Sequence, residues 1–310
     1  MRRCLPKVSE NADIIVSGAM HRKSEEHTLN NSQEIIKQIW NAEQEILDVI
    51  HEVCTAHGLR YTLAYGTLIG AVRHQGFIPW DDDIDIIMPR EDYERLAEIW
   101  NEAAPAGYIY QSIRTDPDYI NTFAKIRKDH TTFLQFEFER DVNYHKGVFV
   151  DIFPADRVAG GKLGNTLQYM ASAVNLLYTR GFRSGTGGII GLTEKVLLAL
   201  PGGIRPVLRD AAEKLIRRWN GREDLKWFSP STIVSAKRYY PSDLFRDMKT
   251  ISFCGKEYAC AADTDTFLRV DYGDYMQLPP EKDRVWQHHP IVIDLHRNYE
   301  ELIKTRRTCK

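Results

Sequence analysis

Residues 65–88, YGTLIGAVRHQGFIPWDDDIDIIM, constrain the fold more strongly than any other stretch of this sequence. Near their end, Asp83 and Asp85 alternate with Ile84 and Ile86, which is the period of a β-strand with its acidic side chains on one face. Carboxylates packed this densely repel one another unless they are exposed or neutralised by cations. The fold must therefore expose or neutralise them where this strand begins.

Helical and strand patterns surround this stretch. Apolar residues at three- and four-residue steps predict a helix over residues 32–58, and Thr67 is expected to cap a brief helix that ends near His74. A further helix is predicted over residues 90–101, and strands over residues 60–63, 84–88, 108–112, 123–128, 132–138 and 147–152. These elements predict an α+β fold with a mixed sheet flanked by helices.

The remaining segments divide the chain into four parts. Residues 1–31 are read as a loose arm, 32–161 as the core, 162–222 as a helical insertion and 223–310 as the C-terminal part of the core domain. Glycine-rich breaks, SGTGG and PGGIRP, interrupt apolar helical pieces in the insertion. Such a region forms a buried helical layer, or it lies on a membrane surface or covers a lipid-linked substrate. In the last part, a hairpin is predicted around Cys254-Gly255 and a helix from about Asp263.

Composition excludes several classes of protein. Forty-one basic and forty-three acidic residues give a formal net charge of −2, which offers no electrostatic attraction for nucleic acid. Five scattered cysteines without a CxxC pair indicate neither a disulfide framework nor a zinc ribbon. The sequence shows no export signal and no apolar run of about 18 residues. We therefore expect a cytoplasmic protein.

A third carboxylate lies in an apolar strand. Asp151, in GVFVDIFP, would be costly to bury without a partner or a metal ion. Asp83 and Asp85 lie about 6.6 Å apart along their strand and can bind a common divalent cation. Carboxylate ligands favour Mg²⁺ or Mn²⁺. Asp81 shares their parity if the strand starts early and is the reserve ligand, whereas Asp82 is off this face.

Basic residues near these segments are candidates for phosphate contacts. Lys125 and Arg127 are in phase on one predicted strand and could neutralise phosphate oxygens, although exposed strand faces often carry such pairs. The acidic stretch itself could be a solvated turn, but the alternation with isoleucine argues against this for Asp83 and Asp85.

Four segments together, GTLIGAVRHQGFIPWDDDIDI, FAKIRKDHTT, HKGVFVDIFPAD and VDYGDYMQLPP, resemble the LicD family of phosphotransferases, to which fukutin-type ribitol-phosphate transferases are related. The resemblance spans about residues 42–284. It implies a nucleotidyltransferase-like core in which Gly66 and Thr67 form a phosphate-binding turn. It also implies that Asp83, Asp85 and Asp151 hold Mg²⁺ and serve as the catalytic carboxylates.

The resemblance further implies transfer of phosphocholine from CDP-choline to a sugar hydroxyl of teichoic acid or lipopolysaccharide. The glycan acceptor could be lipid-linked, with the enzyme at the inner face of the membrane. Arg73, His74 and Arg284 are the next candidates for donor contacts, although surface salt bridges explain such residues as well. His74 is a poor general base, because the adjacent Arg73 opposes its protonated form.

Other interpretations stay open at the sequence level. The donor head group could be choline, ribitol, glycerol or a similar alcohol. A nucleotidyltransferase would instead leave a nucleotide on the acceptor and release pyrophosphate. A non-catalytic relative would bind a nucleotide or glycan, but the complete set of Asp83, Asp85 and Asp151 argues against it.

Overall fold

A computed structural model describes residues 15–16, 25–230, 238–286, 288 and 290–302. Short 3₁₀ helices lie at Glu137–Asp141, Ser242–Phe245 and Glu281–Asp283. The helices and strands are, in chain order, β1 (Ile15–Val16), α1 (Glu25–His57), β2 (Thr62–Leu63), α2 (Tyr65–His74), β3 (Asp85–Pro89), α3 (Arg90–Ala103), β4 (Tyr108–Gln111), β5 (Ala124–Lys128), β6 (Thr132–Leu134), β7 (Phe149–Arg157), α4 (Gly161–Arg180), α5 (Gly188–Leu198), α6 (Ile204–Arg217), β8 (Trp227–Pro230), β9 (Tyr240–Pro241), β10 (Met248–Phe253), β11 (Lys256–Ala261), α7 (Thr264–Tyr272) and β12 (Val292–Asp294).

A mixed sheet forms the centre of the molecule, in the order β2-β3-β7-β5-β4, with β8 paired to β7 and β9 to β8. Strands β3 and β7 run parallel, and the remaining pairs in this sheet are antiparallel. Helices α1 and α3 pack on the sheet through apolar side chains such as Ile46, Ile50, Leu96 and Trp100, all of them buried. Mixed strand directions with packed helices confirm the predicted α+β fold.

Several predicted boundaries shift in the structure. Helix α1 begins at Glu25, within the segment read as a loose arm. This start was not predicted, because the first turns of the helix are polar and show no apolar period. Most of that arm lies outside the described residues, but Ile15–Val16 pairs with β12. The strand predicted over 132–138 ends at Leu134, since a 3₁₀ helix follows, and the strand predicted over 147–152 extends to Arg157.

The C-terminal elements agree with the sequence. Strands β10 and β11 form the predicted hairpin, in which Cys254 and Gly255 take positive φ angles of 51° and 76°. Helix α7 begins after Asp263, whose carboxylate accepts a hydrogen bond from the Thr266 amide. This capping contact satisfies an amide that the first helical turn leaves unpaired.

Helices α4, α5 and α6 occupy the segment that was predicted to be a helical insertion. Helix α4 packs against α6 through buried Ala171, Ala212 and Ile216, which form a small apolar cluster of their own. The two glycine-rich breaks coincide with the starts of α5 and α6. Among the helices described, none combines the length and the apolar character that crossing a membrane requires.

Candidate active site

Three neighbouring strands place two carboxylates and an ammonium group in one row. Asp85 of β3 is the register partner of Asp151 of β7, and Asp151 is in turn the register partner of Lys125 of β5. All three side chains are buried. The parallel pairing of β3 and β7 thus brings together carboxylates that are 66 residues apart in the sequence.

Lys125 neutralises one member of this row. Its Nζ lies 2.5 Å from Asp151 Oδ1 and 3.2 Å from the centre of the Phe149 ring. Burial lowers the pKa of Lys125, and this effect outweighs the charge of Asp151, which raises it. The ammonium group is therefore fixed beside the carboxylates, where it can also meet an anionic substrate.

The turn before β3 adds three further carboxylates. Asp82 is 1% exposed, and its Oδ2 accepts a hydrogen bond of 3.1 Å from the His288 amide. The His288 Nδ1 lies 3.2 Å from Asp82 Oδ1 and 3.5 Å from Asp83 Oδ2. Burial alone would lower the pKa of His288, but the hydrogen bond to Asp82 and the charges of Asp83 and Asp82 raise it. When protonated, this imidazole would offset part of the acidic charge.

Asp82 is thus part of the site, which corrects its exclusion on strand parity. Strand β3 begins only at Asp85, so the residues before it do not follow the alternation of a strand. Ligand atoms of Asp82, Asp83 and His288 all lie within 4.8 Å of one another, close enough to share a metal ion.

Helix α1 contributes a carboxylate that the sequence analysis did not include. Glu43 is 1% exposed, and its Oε2 has no hydrogen-bond partner in the described part of the chain. Burial is the main reason that its pKa is raised well above the usual range, and the charges of Asp83, Asp82, Asp81 and Asp151 raise it further. The signal was available in the sequence, because Glu43 interrupts the apolar stripe of α1 between Ile39 and Ile46.

The acidic groups raise one another's pKa values. Burial and then the charge of Asp83 raise the pKa of Asp81, which also shares a hydrogen bond with Asp83. Burial and then the charges of Asp83, Asp151 and Asp81 raise the pKa of Asp85. Burial likewise raises the pKa of Asp83, with the charge of Asp151 adding to it. So many buried carboxylates facing one another make a cation the natural complement of this site.

Helix α2 contacts the acidic turn through its first residues. A Cβ on Gly66 would lie 2.1 Å from Asp81 Oδ2, so only glycine allows the carboxylate to approach this closely. Thr67 does not cap the helix as predicted, because α2 begins at Tyr65 with Ala64 in the capping position. Instead, its buried Oγ1 accepts a hydrogen bond of 2.8 Å from the Asp85 amide. Both residues therefore fix the approach of α2 to the carboxylates.

Arg127 has contacts different from those expected. Its side chain is buried, its Nε donates to Gln111 Oε1 at 2.5 Å and its Nη1 donates to the Gly147 carbonyl at 2.6 Å. These contacts bind the guanidinium to the protein itself. The guanidinium also lies over the ring of Phe149, 5.0 Å from its centre.

A basic group of side chains lies at the other end of α2. Arg73 donates to the Tyr275 carbonyl, and the charge of Arg284 adds to burial in lowering the Arg73 pKa. The Arg284 guanidinium lies over the ring of Trp80, the residue before the acidic turn. Burial and then the charge of Arg73 lower the pKa of His74, as expected for a poor base. Two guanidinium groups this close would stabilise an anion placed between them.

The sequence is similar to those of known proteins. Residues 58–174 match the family model described as LicD/FKTN/FKRP, nucleotidyltransferase domain. The lipopolysaccharide cholinephosphotransferase LicD of Haemophilus influenzae is 28% identical over 255 residues, which cover 78% of this chain and 92% of that protein. Uncharacterized proteins of Rickettsia prowazekii and Rickettsia typhi are 42% and 41% identical over 64 residues, which cover 24% and 21% of those proteins.

Fold, site and comparisons together define a transferase of phosphate-containing groups. The match to the family model contains the whole acidic turn, the basic residues of α2 and the row of Asp85, Asp151 and Lys125. The chain is thus similar to the LicD family of phosphotransferases, both in this domain and over most of its length.

Proposed function

We propose that this protein transfers phosphocholine from CDP-choline to a sugar hydroxyl of a cell-surface glycan, such as lipopolysaccharide or teichoic acid, and releases CMP. The likeness to the Haemophilus influenzae lipopolysaccharide cholinephosphotransferase, which extends over most of both chains, supports phosphocholine as the transferred group and lipopolysaccharide as an acceptor. The observation that carries the chemistry is the pairing of Asp85 with Asp151 beside Asp83 at the start of β3.

We also propose that the site binds a divalent cation, for which Mg²⁺ is the first choice and Mn²⁺ the second. Asp83, Asp85 and Asp151 would hold it, with Asp81 and Glu43 near enough for their charges to act on it. Oxygen donors of this kind suit hard divalent ions, and the unpartnered Oε2 of Glu43 is a buried group that a cation would satisfy. When bound, the ion would lower the pKa of the acceptor hydroxyl and stabilise charge on the phosphate.

The protein's own side chains have separate roles in this proposal. Asp151 accepts the proton of the acceptor hydroxyl, while Lys125 holds its Oδ1 and fixes its orientation. Arg73 and Arg284 bind the phosphates of the donor. Gly66 and Thr67 hold the start of α2 against the site, where the positive end of the helix dipole would favour the phosphate that is transferred.

The experiment is an assay of CMP release from CDP-choline with Mg²⁺ and a lipopolysaccharide or teichoic acid acceptor. We expect Asp83→Asn and Asp85→Asn each to reduce the rate by at least about 10²-fold, the scale at which transition-state stabilisation is lost. The control is Asp224→Asn, a surface change at a 62% exposed side chain paired with Arg222. CMP release that survives both active-site changes in folded protein would refute the proposal.

The same assay separates the alternatives. CDP-ribitol and CDP-glycerol, supplied in parallel, identify the donor head group by mass spectrometry of the product. The matching family model is described as a nucleotidyltransferase domain, so a nucleotidyltransferase is the second candidate. Pyrophosphate release from CTP or ATP, with the nucleotide left on the acceptor, would establish that activity instead.

A further inference from the structure

Helix α5 exposes an unusually apolar surface. Ile189, Ile190, Leu192 and Val196 are 84%, 60%, 62% and 59% exposed. Ile189, Leu192 and Val196 follow one another at steps of three and four residues, so they form a stripe along one side of the helix. Within this helix, Gly191 is the residue that is buried. A helix with this composition would normally turn its apolar stripe towards a core.

Neighbouring helices extend this surface. Leu163, Leu167 and Met170 lie along one side of α4 and are exposed, as are Ile204 and Val207 at the start of α6. Nine of the fifteen exposed large hydrophobic side chains in the described part of the chain belong to residues 161–217. Exposed apolar side chains concentrated in one segment mark an interaction surface more often than scattered ones do.

The same segment is strongly basic. Residues 161–218 contain nine Lys and Arg but three Asp and Glu, a formal charge of +6 in a chain whose net charge is −2. Lys162, Arg183, Lys195, Lys214 and Arg218 are exposed, whereas Asp210 is the exposed acidic residue of this segment. Lys195 is on α5 next to Val196, and the Arg183 guanidinium lies near Gly191 of the same helix. The partner of this surface is therefore expected to be apolar and anionic.

The structure holds α5 in place without covering its stripe. Tyr178 of α4 donates to the Leu197 carbonyl at 3.2 Å, and Arg205 of α6 donates to the carbonyls of Leu198 and Leu200. These contacts fix the C-terminal end of α5. Gly185 and Gly188, with φ angles of 83° and 65°, provide the turns at its other end.

We propose that α5, with the exposed side chains of α4 and α6 beside it, binds the surface of an anionic lipid bilayer. The helix has 11 residues and is about 16 Å long, too short to cross a hydrocarbon core of about 30 Å. An apolar stripe flanked by cations is instead suited to the boundary between acyl chains and headgroups. A second copy of the chain fits this surface less well, because two segments of charge +6 would repel each other.

The test is co-sedimentation of the full chain with vesicles of phosphatidylglycerol and phosphatidylcholine, or of phosphatidylcholine alone. Neither donor nor acceptor is present, so the result does not depend on the proposed enzymatic activity. We expect binding to the anionic vesicles that weakens as salt is raised, and at least about tenfold weaker binding to the neutral ones.

Two variants separate the apolar and ionic contributions. Ile189→Ser/Leu192→Ser/Val196→Ser should weaken binding to the anionic vesicles by at least about tenfold, and Arg183→Glu/Lys195→Glu by a similar factor. The matched controls are Met276→Ser, an exposed hydrophobic residue outside the segment, and Arg95→Glu, an exposed cation on α3. Circular dichroism verifies that each variant is folded, and the controls should bind like the wild type.

Three results would overturn the proposal. The wild-type chain would stay in the supernatant with anionic vesicles, or the triple serine variant would bind as strongly as the wild type. Alternatively, sedimentation velocity without lipid would show a dimer that the triple serine variant dissociates. That last result would assign the surface to a second copy of the chain.

Discussion

Glu43→Gln tests whether the acidic cluster is built around a cation. The carboxylate is buried, and its Oε2 has no hydrogen-bond partner among the described residues. In the metal-free protein, an amide removes one of the mutually repelling charges and can donate a hydrogen bond to a neighbouring aspartate. We therefore expect the free energy of unfolding to rise by about 1 to 2 kcal/mol in the absence of metal.

In the presence of Mg²⁺ the same change should have the opposite effect. At a concentration 100 times the Kd, the ion stabilises the wild type by about 2.7 kcal/mol. Loss of a carboxylate that supports the site should weaken binding by about 10- to 100-fold, which leaves about 1.4 to 0.4 kcal/mol of stabilisation. At about 2 °C or more per kcal/mol, the Mg²⁺-induced rise in Tm should fall from about 5 °C to about 1 to 3 °C.

The assay is thermal unfolding at pH 8, with EDTA and with a titration of Mg²⁺. Glu45→Gln is the matched control, because Glu45 lies on the same helix, pairs with Lys128 and is 54% exposed. The control should leave the Mg²⁺-induced shift unchanged. A shift as large in Glu43→Gln as in the wild type, or a metal-free variant less stable than the wild type, would refute this account of Glu43.

Three further predictions concern other parts of the molecule. Asp156→Ala should lower the free energy of unfolding by about 3 to 5 kcal/mol in urea denaturation, because it leaves the buried Arg90 guanidinium without its bidentate partner; a loss below about 1 kcal/mol would contradict this. Burial raises the pKa of Asp271 to about 6, so its neutral form is favoured in the folded state. The stability that Asp271 contributes is present below the unfolded pKa near 3.8 and is lost as the pH rises to about 6. Asp271→Asn should therefore flatten the dependence of the free energy of unfolding on pH between about 4 and 6. An unchanged pH dependence would contradict this role of Asp271. Arg284→Ala should raise the KM for the nucleotide donor by about tenfold or more, the loss expected for a charge-assisted phosphate contact, and a change in kcat alone would contradict that role.

Local periodicity accounts for what the sequence determined. The three- and four-residue apolar steps of α1, the glycine breaks around α5 and the hairpin at Cys254-Gly255 all depend on residues close to one another in the chain. The strand character around Asp85 and Asp151 follows for the same reason, because a carboxylate inside an apolar strand is conspicuous without knowledge of its neighbours. The ends of helices and strands were predicted less accurately, because the polar start of α1 and the 3₁₀ helix after β6 show no such period.

The tertiary structure decided which of these residues meet. Asp85, Asp151 and Lys125 form a row through the register of three strands, and no local pattern specifies that register. His288 reaches Asp82 across 206 residues of sequence, and Glu43 enters the site because α1 packs on the sheet. The sequence thus determined the kinds of groups available, whereas their contacts depend on pairings between distant segments that only the folded chain forms.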